Sequence, residues 1–319
     1  MSYENISIKN KEAHKETINE IVTRNENIST TNIFNISVPK ILESFVLDLK
    51  KIVKSDFYLG EGFFGKVYYT RYNNQDVAMK VQQPNYYFFN EVHINQKINS
   101  KYIVKFHGAS ASEKYIMAFE LMKGGTLKHL LTDQLNIKPS TTHKIIMQIS
   151  KGMGYLHNCT PPIIHGDLSS SNILLLNKFN SNKKNYCKIS DFGLGIIKNE
   201  KRFFNKIIGN VLYMAPEIYD GESPCDEKSD VFSFGILAIE ILTLEYPPIQ
   251  HNTYAQWEEF LIENKTLSSF SKCFDDWLAL ILSCIHRNPG NRPSFKEIIE
   301  KLKSLKKYYK DENNIPLSL

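Results

Sequence analysis

The stretch "PPIIHGDLSSSNILLL", Pro161 to Leu176, sets His165, Asp167 and Asn172 at H-G-D-x-x-x-x-N spacing. The apolar runs on either side read as short buried strands. A polar loop held between buried strands suits a site where a carboxylate and a carboxamide point at one ligand. Its meaning depends on which anion-handling and metal-handling residues stand elsewhere in the chain.

Upstream, "LGEGFFGKV" places Gly60, Glu61, Gly62 and Gly65 between two strand-like runs. Glycines let a hairpin lie close over phosphates and turn backbone N–H groups toward them. Alone, such a hairpin is more often only a turn. A dinucleotide-binding reading needs a helix next, whereas "KVYYTRY" reads as strand. In "VAMK", Lys80 sits in a strand among apolar neighbours, which is costly unless it meets an anion. Glu91, on the helix expected over "YYFFNEVHINQKI", is the candidate carboxylate; an exposed edge-strand lysine is the bland alternative. Downstream, "KISDFGLG" sets Asp191 at a strand end before Gly193.

Phosphoryl transfer uses such a set. It needs a clamped triphosphate, charge neutralisation and an acceptor held in line, with little covalent chemistry from the protein. Asp167 suits a base that orients and accepts the proton of an attacking hydroxyl. Asn172 and Asp191 suit a Mg²⁺ ion, and Lys80 suits phosphate. All these parts occur in chain order, which chance makes improbable.

The bulk numbers permit this reading. The 319 residues suffice for one large domain or two lobes, and 42% hydrophobic with 23% charged residues is ordinary for a globular chain. A net charge of +5 fits a solvated lysine-rich surface, so no nucleic-acid partner is expected. Five scattered cysteines without a CxxC point to reduced thiols in the cytoplasm, with the nucleus also compatible. The most apolar segment, "VFSFGILAIEIL", is too short to span a membrane and carries Glu240, so it reads as a core helix. The first residues lack the apolar run of a signal peptide, and Ser2 stands where myristoylation needs Gly.

Residues 1–40 are polar and expected to be flexible, 41–306 form the candidate domain, and 307–319 read as a solvated tail. "KEAHKETINEIVTR" could form one amphipathic turn or two, and "TTNIFNISVPKIL" could dock on the β-rich part. Within the domain, "FYLGEGFFGKVYYTRY", "QDVAMKV", "YIVKFHGAS" and "YIMAFEL" read as strands. After Gly124-Gly125 the pattern turns helical: Ile145, Ile149, Met153 and Leu156 recur at helical spacing, as do Phe295, Ile298, Ile299, Leu302 and Leu305. Ser294 and Glu297 form a capping-box signal for the last helix. No heptads suggest a coiled-coil dimer, and the oligomeric state stays open.

The chain resembles the eukaryotic protein kinases from about Asp56 to Leu305. Small-molecule kinases share the H-G-D-x-x-x-x-N loop but lack the series found here: "YMAPE" (Tyr213–Glu217), "DVFSFGI" (Asp230–Ile236) and "NRPSF" (Asn291–Phe295). The resemblance implies an α+β bilobal fold, with a small β-rich N-lobe (about 53–122) carrying one main helix and a larger helical C-lobe (about 123–306). It implies ATP and Mg²⁺ as cofactors and a protein substrate. By the same resemblance "FELMKGGTL" is the hinge, with Phe119 as gatekeeper and the backbone of Glu120 and Met122 facing adenine. Val67, Ala78 and Leu174 would sandwich the base, Glu217 and Arg292 would pair in the interior, and Asp230 would anchor the catalytic loop. "MKGGTL" and "DVFSFGILAIEILT" look most like the tyrosine-kinase-like branch of Ser/Thr kinases.

Several positions depart from the family's pattern. Gly166 follows His165 where regulated kinases usually carry an Arg that pairs with a phosphorylated activation loop. Between Gly193 and Tyr213 there is no Ser, Thr or Tyr, so the switch's cation and its acceptor are missing together. The expected substitute is apolar packing by Phe203, Phe204 and Ile207. Ser169 stands where a phosphate-contacting Lys is usual, and Asn210 where a Thr is usual, leaving Ser/Thr favoured over Tyr on the "LYMAPE" form. Only ten residues separate Lys80 from Glu91, a short tether expected to hold the Glu91 helix inward. Asn95 replaces an apolar residue expected to pack on Phe192, which weakens that contact unless the amide finds a partner. These departures keep a second reading alongside the enzyme, a non-catalytic scaffold with a kinase shape.

Overall fold

Asn73 and Asn74 both adopt left-handed backbone (φ 50° and 61°), the geometry of a two-residue hairpin turn that matches the twist of the strands it joins. That hairpin organises the first half of a computed structural model that describes residues 46–53, 57–62, 65–111, 114–133, 137–179, 187–200, 209–245, 254–263 and 273–309. The two segments on either side of it, β3 and β4, belong to a six-stranded antiparallel sheet: β1 (Ile52–Val53), β2 (Tyr58–Gly62), β3 (Gly65–Tyr72), β4 (Gln75–Gln82), β5 (Phe106–Ala111) and β6 (Tyr115–Glu120). Its order is β1-β3-β4-β6-β5, with β2 also on β3.

Helix α1 (Tyr86–Asn95) lies between β4 and β5 in sequence. It starts at Asn85, whose side chain accepts the Phe88 amide at 3.0 Å. The candidate sheet residues share a face because directly opposed residues point the same way. Val67 opposes Lys80, Ala78 opposes Phe119, and Lys80 and Ala78 are two apart on β4.

The rest is largely helical: α2 (Leu127–Thr132), α3 (Pro139–His157), α4 (Pro216–Tyr219), α5 (Glu227–Thr243), α6 (Tyr254–Glu263), α7 (Phe274–Cys284) and α8 (Phe295–Leu305). Two-stranded pairs lie among them, β8 (Ile173–Leu175) with β9 (Cys187–Ile189), and β7 (Ile163–Ile164) with β10 (Ile196–Ile197). The α3 and α8 positions expected at helical spacing are buried, apart from the half-buried Ile299. The Ser294/Glu297 capping box forms, and a second one at Asp226/Ser229 starts α5.

Helix α5 is apolar on nearly every face because it runs through the core with Trp277 and Phe295 around it. Each such large side chain contributes about 1.5–3 kcal/mol by leaving water. A small β-rich lobe and a larger helical lobe, the α+β bilobal kinase fold, result. Among the described residues no helix is long and apolar enough to cross a membrane. Residues 1–45, which hold both segments singled out above, lie outside the described residues, as do Phe203, Phe204 and Ile207.

Candidate active site

Strand β4 delivers Lys80 and α1 delivers Glu91, and the ammonium meets the carboxylate at 2.7 Å with both groups buried. Lys80 also lies 3.3 Å from Asp191 Oδ1. The short tether is thus accompanied by a closed pair. Burial opposes the lysine's charge, but the two carboxylates outweigh it and raise its pKa. Burial, opposed by Lys80 and reinforced by Asp191, pushes Glu91 up to about 7.

Asp191 itself has left-handed backbone (φ 65°), a strained state for a residue with a Cβ. The strain turns its carboxylate toward Lys80 while Oδ1 also accepts the Gly193 amide at 3.2 Å.

The catalytic-loop candidates are fixed from beneath by α5. Asp230 accepts the backbone amides of His165 (2.8 Å) and Gly166 (2.9 Å), as the resemblance implies. His165 accepts the Asp167 amide on Nδ1, so its Nε2–H donates to Ser190 O at 3.1 Å, and its ring lies 5.1 Å from Phe192. The Asp167 carboxylate receives Asn172 Nδ2 at 2.9 Å and the Asn210 amide at 3.0 Å. Burial pushes it up to about 6. Asp191 adds to the rise, against the Asn210 amide, His165 and Asn172. Ser190 donates to Asn172 O through both its amide and its hydroxyl, at 2.9 Å each, so Asp191 is held beside Asn172.

The remaining candidates lie on β2, β3, β4, β6, β8 and the segment after β6. Val67, Ala78, Phe119 and Leu174 are half-buried, and Phe119 packs on Phe106 at 5.4 Å. Gly60, Glu61, Gly62 and Gly65 form the β2–β3 hairpin ends, with Glu61 opposed to Lys66. At Gly65 (φ 154°) a Cβ would come within 2.3 Å of Val81 O, so only glycine fits there. The Glu120 amide already bonds Lys105 O at 2.8 Å, and its carboxylate pairs with Lys188 at 2.6 Å. Met122 is buried just beyond β6.

Three departures acquire physical explanations. Asn95 does find a partner, donating to Glu91 O at 2.8 Å within its own helix. Asn210 caps the short turn after it, accepting the Leu212 amide at 3.2 Å, while its own amide serves Asp167. Gly166 has φ 74°, and a Cβ there would lie 2.9 Å from Leu194 O. The position favours glycine for backbone reasons, whatever becomes of a phospho-switch. Ser169 is buried, and the structure gives it no contact that stands in for a lysine.

Sequence reasoning missed two groups. Glu240, buried in α5, accepts the Ser170 hydroxyl at 2.9 Å and the Tyr213 hydroxyl, linking the catalytic loop to the "YMAPE" segment. Its place in an apolar run was the available signal. Asn90, beside Glu91, reaches the loop after Asp191, and nothing local marks it. Arg292 and Glu217 do form the expected interior pair, bidentate at 2.6 and 2.8 Å.

Residues 53–302 match the protein tyrosine and serine/threonine kinase family. The chain belongs to the protein kinases. It is 37% identical over 276 residues to the dual specificity protein kinase splA of Dictyostelium discoideum, covering 77% of this chain and 11% of that protein. The dual specificity protein kinase shkD of the same organism is 34% identical, with 84% and 38% covered. The serine/threonine-protein kinase VIK of Arabidopsis thaliana is 30% identical, with 78% and 59% covered. The chain thus spans less than two thirds of each of these relatives, from 11% to 59% of their length.

Proposed function

We propose that this chain is an ATP- and Mg²⁺-dependent protein kinase that phosphorylates protein hydroxyls. Ser and Thr are the favoured acceptors, the tyrosine-kinase-like branch is the subgroup, residues 41–306 are the catalytic domain and the cytoplasm is its place of action. The observation that carries this is Lys80 held between Glu91 and Asp191, with Asp167 and Asn172 bonded to each other close by.

The donor set fits magnesium. Mg²⁺ favours oxygen ligands, takes one or two from protein and completes its shell with phosphates and water. Asp191 offers a carboxylate. Asn172 offers Oδ1, since its Nδ2 already serves Asp167. Among the described residues no group of three or more His, Cys, Asp or Glu makes a richer site. When bound, the ion offsets the charge that develops between the β- and γ-phosphates.

The protein's own residues supply the rest. Lys80, steadied by Glu91, neutralises the phosphate oxygens. The glycine hairpin of β2 and β3 covers them. Asp167 accepts the acceptor hydroxyl's proton as its oxygen bonds the γ-phosphorus and the bond to the bridging oxygen breaks. The activation segment works without phosphate, since no hydroxyl lies between Gly193 and Tyr213 and the Asn210 amide already bonds Asp167.

Transfer from radiolabelled ATP to a generic protein substrate tests the reading. Wild type should transfer label only with Mg²⁺, Asp167→Asn should abolish transfer, and phosphatase treatment of the pure protein should leave the rate unchanged. Phosphoamino-acid analysis should give phosphoserine and phosphothreonine; phosphotyrosine would align the chain with the relatives named dual specificity. Ser169, in place of the usual lysine, favours the scaffold reading, which predicts no transfer by wild type under any of these conditions.

A further inference from the structure

Asn90 precedes Glu91 on α1 and touches none of the proposed transfer residues' side chains through any hydrogen bond the structure shows. Its Nδ2 instead lies 3.0 Å from both Gly193 O and Gly195 O and 3.4 Å from Phe192 O. An amide nitrogen carries two hydrogens, so three carbonyls share them. The Tyr86 hydroxyl, one turn earlier, lies 3.3 Å from Asn90 Oδ1. Its donation fixes the sense of the amide, with oxygen toward Tyr86 and NH₂ toward the loop.

The gripped loop is the one that carries Asp191. It is tightly drawn to α1: a Cβ on Gly195 would lie 2.7 Å from Ile94 Cδ1. The Gly193 amide is turned inward to Asp191 Oδ1, while the carbonyls of Phe192, Gly193 and Gly195 face Asn90 on the helix. Strained backbone such as that of Asp191 persists only where its surroundings over-determine it, and the Asn90 bonds supply that restraint.

We propose that Asn90 is a positioning residue: by binding the carbonyls of Phe192, Gly193 and Gly195 it holds the Asp191 carboxylate in the orientation that receives the metal. It acts through Asp191 and not on the nucleotide. The proposal rests on the reading of Asp191 as the Mg²⁺ ligand.

Isothermal titration of the full chain with the non-hydrolysable ATP analogue AMP-PNP, with and without Mg²⁺, separates the two. Asn90→Asp keeps the shape but opposes three carbonyl oxygens with a carboxylate oxygen, and Asn90→Ala removes the donor. Affinity without Mg²⁺ should match wild type, while the tightening produced by Mg²⁺ should shrink about tenfold in both variants, as expected for a lost set of polar contacts. Tyr86→Phe removes only the group that orients the amide and should give a smaller loss, which keeps the test available if a change at Asn90 impairs folding. Wild-type tightening in Asn90→Asp or Asn90→Ala, or in Tyr86→Phe when neither folds, would overturn the proposal. No tightening by Mg²⁺ in wild type would overturn the metal reading itself, and this inference with it.

Discussion

Gly166 offers the sharpest separation between backbone and side-chain explanations of the H-G-D loop. Replacing it with Ala adds one methyl group. At φ 74° an L-residue costs about 1–2 kcal/mol relative to glycine. The new Cβ would also lie 2.9 Å from Leu194 O, inside normal contact, so the carbonyl must move or an angle must bend. A bend of ~7° costs about 1 kcal/mol, bringing the total to about 2–3 kcal/mol. For a domain of this size that is a fall in melting temperature of about 4–12 °C.

Gly221 supplies the control. It has φ 71°, and nothing lies within 4 Å of an added Cβ. Gly221→Ala therefore meets the backbone cost alone. Calorimetry should place Gly166→Ala below Gly221→Ala by about 2–4 °C, the share due to Leu194. Equal melting temperatures would refute the packing argument, and no change in either variant would refute the backbone argument as well.

Other expectations follow from the same geometry. Glu217→Ala removes the partner of a fully buried Arg292 that also lies over the Phe232 ring, so stability should fall by about 3–5 kcal/mol in denaturant titration. A loss under about 1 kcal/mol would contradict the role of the pair. Asp167, raised to about 6 by burial, accepts a proton only when ionised; kcat/KM should therefore hold above pH 6 and fall tenfold per pH unit below it. A profile flat down to pH 5 would contradict the raised Asp167 carboxyl. Glu240→Gln keeps the shape while weakening both hydroxyl bonds, and should lower stability and transfer rate together, read by calorimetry beside the transfer assay.

The sequence disclosed the fold through local signals. β-Branched and aromatic runs gave way to helical spacing after Gly124-Gly125, and Ser294 with Glu297 marked a helix start that the structure reproduces. Lys80, Glu91, Asp167, Asn172 and Asp191 were legible because each sits in a short motif with its own chemical logic. What stayed hidden depends on partners far along the chain. Asn90 meets Gly193 across 103 positions, and Glu240 meets Ser170 across 70, with no periodicity to connect them. Gly166 was legible only as a missing side chain, because a backbone angle leaves no mark in composition. Asn95 and Asn210 read as defects until their hydrogen-bond partners were visible.

The convergence of Lys80, Asp167, Asn172 and Asp191 on one loaded nucleotide is most directly tested by a crystal structure with Mg²⁺ and AMP-PNP. The account predicts Lys80 still bonded to Glu91 and touching a phosphate oxygen, one Mg²⁺ shared by Asp191 and Asn172, and the γ-phosphate facing Asp167. A Lys80–Glu91 pair pulled apart, or Asp191 and Asp167 facing different cavities, would contradict it.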